Sequence, residues 1–184
     1  MRELLKLAVV VALMTAPLLA QPQPASIAEQ SLFAAANADR ASRNLPLLQR
    51  DPALARAALG HARQMAVHGS ISHQFAGELD LSTRGSAAGA RFSLITENIA
   101  SASATVVIHD LWMKSAGHRG NLLDPNVSAV GIEIVVRNHQ FYAVEDFART
   151  VQSLSLSQQE SAVAGLLSRA GMPVADTTTD ARKT

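Results

Sequence analysis

The side chains of this chain that could do chemistry fall in a few short polar segments. These are Ser72-His73-Gln74-Phe75, Glu97-Asn98-Ile99-Ala100, the run from Trp112 to Asn121 that carries Ser115, His118 and Arg119, and Glu145-Asp146-Phe147. Two neutral imidazoles, His73 and His118, can bind a divalent ion and leave coordination positions open for water or carboxylates. They stand 45 residues apart, so only a tertiary fold can bring them together. A carboxylate beside a ligating imidazole, as Glu97 would be, can instead fix the ring's tautomer from outside the coordination sphere. Such a cleft can polarise a water for hydrolysis, or bind a metal weakly and do no chemistry.

Other chemistries are excluded or weak. The chain has no cysteine, which removes thiolate metal sites, iron–sulfur clusters, disulfides and a cysteine nucleophile. There is no His-Glu-x-x-His helix of the thermolysin kind. Ser115 precedes His118 by three residues, but it lacks the Gly-x-Ser-x-Gly elbow and no orienting acid can be assigned to it. Asn98, Arg119 and Asn121 read as loop and helix-end scaffolding. Trp112, the single tryptophan, reads as core. His61, His68, His109 and His139 read as helix-face or turn histidines.

The elements that must position these residues follow from pattern. Arg2 and Lys6 flank an uncharged run, Leu7 to Ala20, that has the form of a secretory signal peptide and is short for a membrane span. Residues 1–20 are therefore expected to be a leader cleaved after Ala20, and 21–25 a spacer. The full chain has 184 residues, 48% of them hydrophobic, with 16 basic and 15 acidic side chains; without Arg2, Lys6 and Glu3 it carries 14 of each. That balance, with 4% aromatics, gives no drive towards nucleic acid. No stable membrane span is expected after cleavage, and the protein is expected to be a monomer.

Ser26 and Glu29 form a capping-box signature for a helix to about Arg43. Asp51-Pro52 starts a second helix, with Leu54, Ala57, Ala58, His61, Ala62 and Met65 on one face and Gly69 as its stop. Residues 70–100 read as irregular, with a short helix over 81–88. Ser103 or Thr105 opens a further helix with Val107, Ile108, Leu111 and Trp112 inward. Runs 129–137 and 140–147 read as a hairpin. Beyond 150, a weak helix over 157–170 and a disordered tail from Val174 are expected, so the main domain spans 26–150 and an extension 151–184. Helices first and a hairpin late predict an α+β fold of layered type.

Together with Asn37 to Arg40 and Leu47 to Leu54, the polar segments resemble the CAP superfamily of cysteine-rich secretory, antigen 5 and pathogenesis-related class-1 proteins. The likeness runs from about Ser31 to Ala148 and rests on the ordered pair Glu-Asn-Ile-Ala and Ser-x-Gly-His-Arg. It implies a three-layer α-β-α sandwich with a cleft lined by two histidines and two acids, here matched by His73, His118, Glu97 and Glu78. Thr96 stands where many members have Gly. The cysteine-rich extension of animal members is absent, so activities tied to it do not transfer, whereas bacterial members commonly lack those cysteines. The resemblance implies a secreted binding module, extracellular or periplasmic, for lipid, a small hydrophobe or an envelope-derived ligand, with a divalent metal (zinc first, magnesium or calcium otherwise). A metal-assisted hydrolase of peptide or glycan is the alternative.

Overall fold

The polar starts act as the sequence predicts. Ser26 accepts from the Glu29 backbone N–H while the Glu29 carboxylate accepts from the Ser26 N–H, and helix α1 runs Ile27–Ala41. Asp51 accepts from Ala53 and Leu54, Pro52 fills the first turn, and α2 runs Pro52–His68 until Gly69 turns left-handed at φ 65°. Asp80 caps α3, Leu81–Ala87. The structure, a computed structural model, describes residues 25–173. The expected leader, most of the spacer and the tail from Val174 lie outside the described residues.

Four strands form one sheet in the order β1-β3-β4-β2, with β1 (Gln49–Arg50) parallel to its neighbour and the other pairs antiparallel. β3 (Ala129–Arg137) and β4 (Gln140–Thr150) make the expected hairpin, closed by Asn138 and His139 at φ 50° and 60°. β2 (Phe92–Ala102) corrects the irregular reading of this region. Its middle carries Glu97 and Asn98, both buried, so no apolar alternation marks it as a strand.

The sheet is covered on both faces. On one side Ala58, Ala62 and Met65 of α2 pack on Ile99, Tyr142 and Val144. The approach is closest at Gly131, where an added Cβ would stand 2.2 Å from the Leu54 carbonyl carbon and the Ala55 nitrogen. On the other side Leu32 and Ala36 of α1, Ile108 and Trp112 of α4 (Thr105–Lys114) and Leu122 of α5 (Ala116–Leu123) pack on Val130, Ile132 and Phe147. The result is the α-β-α sandwich expected from the sequence.

Two local readings need correction. Val107 and Leu111 are 42% and 45% exposed, so the inner face of α4 is narrower than the pattern predicts, and neither Ser103 nor Thr105 caps it. Arg119 and Asn121 lie not in a loop but within a separate short helix, α5, that begins at Ala116 after α4 ends at Lys114. Beyond the sheet, α6 (Leu156–Arg169) is amphipathic and buries none of its residues.

Candidate functional site

β2 is an edge strand, and a cleft of about 590 Å³ lies along its open side. His73, Gln74 and Leu81 border it from the α2–α3 layer, Thr96 and Glu97 from the strand, and Ser115, Gly117, His118 and Asn121 from the α4–α5 corner. Because successive strand side chains alternate, Glu97 faces the α2–α3 layer and Asn98 faces α5. Each then anchors one histidine.

His118 is delivered by a local device. The Ser115 hydroxyl caps α5 by accepting from the His118 backbone N–H, which places that residue in the first turn. The Asn98 amide donates to the His118 carbonyl at 3.0 Å, and the Asn121 amide donates to the Asn98 side-chain oxygen and the Glu97 carbonyl. Arg119 donates to the Met113 carbonyl and so closes the α4–α5 corner. Partial burial, and secondarily the neighbouring His73, hold the His118 imidazole below the ordinary histidine range. The ring is therefore neutral near pH 7, the state a metal ligand needs.

His73 is held differently. It sits on the loop after α2 with its side chain 62% exposed, and its Nδ1 meets Glu97 Oε1 at 2.8 Å. Glu97 is nearly buried, and its second oxygen accepts from Arg84 Nη2. Behind this pair lies His61, fully buried on α2, whose Nε2 is 3.8 Å from Glu97 Oε2 and whose Nδ1 is 2.7 Å from Glu78 Oε1. Glu78 also accepts from the Phe75 backbone N–H. Glu78 thus braces the loop from inside and does not line the cleft, where the resemblance had placed it.

Three carboxyls stand in and behind the cleft floor. Asp146, opposite Glu97 in the β2–β4 register, is pushed well up by burial and by the Glu97 charge, with Arg84 opposing. Glu145, opposite Asn98, is pushed up to about 8 by burial, and the Asn98 amide opposes this by donating to it. Glu145 thus holds a proton near neutral pH, and Asp146 is shifted in the same direction. Glu97 is the carboxylate that pairs directly with both His73 and Arg84.

His73, Glu97, Ser115, His118 and Asn121 are brought to one cleft, and Asn98 and Arg119 support it. Trp112 is fully buried in the core. His61 and Arg84 were missed. His61 carried a signal, being the one polar member of the apolar α2 face. Arg84 carried none, because the partners that matter, the His73 backbone and Glu97, lie 11 and 13 residues away on a loop and on β2. The motif residues Asn37 and Arg40 are structural: Asn37 pairs with the Leu48 backbone, and buried Arg40 donates to the carbonyls of Pro46, Leu122, Asp124 and Val127.

The family model described as cysteine-rich secretory protein family, CAP, matches residues 33–148. The chain belongs to this family. Its CAP domain is 29% identical over 118 residues to the protein YkwD of Bacillus subtilis, covering 62% of this chain and 45% of that one. An extracellular protein of Bacillus anthracis containing an SCP domain superposes with a TM-score of 0.61 at 33% identity, over 67% of this chain and 40% of that one. An outer surface protein of Borrelia burgdorferi superposes at 0.63 with 19% identity, over 67% and 93%. The chain spans less than half the length of the two Bacillus proteins. Among the described residues, no helix is long and apolar enough to cross a membrane.

Proposed function

We propose that this CAP domain is an extracellular binding module whose cleft holds a divalent cation between His73 and His118 and takes a polar, envelope-derived ligand such as a glycan or peptide. The observation that carries this reading is the meeting of two imidazoles on one cleft, one of them with its Nδ1 engaged by Glu97. That engagement leaves His73 Nε2 as the lone-pair nitrogen, an arrangement common to metal-bound histidines. Imidazole donors fit zinc better than magnesium or calcium, which prefer oxygen. Among the described residues no three His, Cys, Asp or Glu side chains are grouped to hold an ion, so the cation would keep open positions.

The cleft volume suits a small ligand. His73, Gln74, Glu97, His118 and Asn121 bring hydrogen-bonding groups to its walls, and Leu81 is the one aliphatic side chain among its lining residues, which favours the envelope class over lipid. Export fits the leader form of residues 1–20. Binding is preferred to hydrolysis because both Glu97 oxygens are engaged and Ser115 caps a helix, so neither is poised as base or nucleophile.

Calorimetric zinc titration of the wild type and the His73→Ala/His118→Ala pair tests the metal site: binding confined to the wild type is expected, and equal binding by both removes it. Soluble muropeptides titrated with and without zinc test the ligand. Zinc-dependent turnover of those fragments, lost in the double variant, would replace binding by hydrolysis. Uptake of lipid by delipidated protein, with no muropeptide binding, would overturn the polar-ligand reading.

A further inference from the structure

We infer that Arg84 is the positioning residue of this site, holding Glu97 as the orienter of His73 and keeping it out of the metal's coordination. The inference deepens the metal-binding reading and rests on it for the identity of the ligands. The geometry is specific. One Arg84 nitrogen donates to Glu97 Oε2 at 2.5 Å, while the other donates to the backbone carbonyls of His73 at 3.2 Å and Leu79 at 3.1 Å. A single guanidinium therefore grips both the carboxylate that orients the His73 ring and the backbone that carries it.

Chemistry decides the division of labour. Glu97 has two oxygens; Oε1 is taken by His73 Nδ1, and Oε2 by a cation that does not deprotonate. Both partners are nearly buried, so water does not compete for the pair. The other groups facing Glu97 are His61 at 3.8 Å and Asp146 across the strand pair. Neither also holds the His73 backbone, as Arg84 does. Gly85 lets α3 settle on β2, since an added Cβ there would meet Ile95 at 2.9 Å and Phe92 at 3.1 Å. A bound cation would thus have two imidazoles from the protein and complete its coordination from water and the incoming ligand.

The test reads the His73 ring directly. In metal-free wild type at pH 8, long-range proton–nitrogen correlation of the histidine rings should show His73 as the Nδ1–H tautomer. Arg84→Gln should shift it towards Nε2–H and weaken zinc binding at least tenfold, and Arg84→Lys, which keeps charge without the fork, should recover part of both. Wild-type His73 as Nε2–H overturns the inference without any variant, so it stays testable even if Arg84→Gln does not fold. An unchanged tautomer with zinc affinity within twofold in Arg84→Gln also overturns it. Wild type that shows the Nδ1–H tautomer, with loss in Arg84→Gln, but binds no zinc upholds the positioning role and overturns only the metal reading.

Discussion

The two sides of the cleft bring the same side chain to the same place by different means. On the α4–α5 side, His118 is set by a hydroxyl three residues away, by the backbone of a short helix and by one Asn98 amide on its carbonyl. On the α2–α3 side, His73 lies on a loop whose grip comes from Glu97, Arg84, Glu78 and His61, drawn from three elements. The first side is neutral and mostly local, with long-range ties from the Asn98 and Asn121 amides. The second is a buried network, and its parts depend on one another because each charge needs its partner once water is gone.

The sharpest way to break this contrast is Arg84→Met. It leaves Glu97 without its cation in a dry wall, and a loss of about 3–5 kcal/mol is expected in urea unfolding. A loss below about 1 kcal/mol would mean that the His73 side is no more cooperative than the other. Glu145, under the His118 side, gives the next effect. Its carboxyl is raised, by burial first, to about 8, so the folded state binds the extra proton between the ordinary glutamate range and that value. Stability from this group is full below the ordinary glutamate range, falls as pH rises from there, and is gone above about 8. Glu145→Gln should therefore stabilise the domain at pH 9, on the order of a few kcal/mol, and do little at pH 5. Equal behaviour at both values would show that Glu145 is not held protonated.

Ser115→Ala removes one cap and should cost about 1 kcal/mol without moving the His73 tautomer. A changed His73 tautomer there would join the two sides into one unit. The smallest effect is on His118 itself. Its ring should titrate below the ordinary value of about 6.5, followed by NMR. His73→Asn should bring it back only part of the way, since burial is the larger cause and the His73 charge the lesser. The linked stability is complete above about pH 6.5 and is lost as pH falls towards the depressed value, because the unfolded chain then binds more protons. No response to His73→Asn would mean that the imidazoles are not electrostatic neighbours.

What was legible in the sequence follows the same division. Capping residues read correctly at Ser26, Asp51 and Gly69 because each acts on backbone groups within a few positions. The hairpin read correctly because its strands are adjacent in the chain. β2 did not, since its buried Glu97 and Asn98 are made tolerable by partners elsewhere, and polar residues in mid-strand erase the alternation that marks a strand. Glu78 was placed on the cleft by motif likeness; the fold turns it inward to His61. Asp146 stood in a noted segment, yet the upward push on its carboxyl comes from burial first and from Glu97 across the register.

By itself the sequence determined the family, the layered fold, the helix starts and stops, and the two histidines with Glu97 as the residues worth watching. Those rest on local backbone chemistry and on an ordered set of motifs. Only the tertiary structure decided that His73 is governed from Arg84, that His61 and Glu78 form the buttress behind it, and that the Glu145 and Asp146 carboxyls are both pushed up by burial. The physical reason is that charge pairing, desolvation and ring orientation are set by distances through space between groups far apart in the chain, and residue spacing along the chain does not encode them.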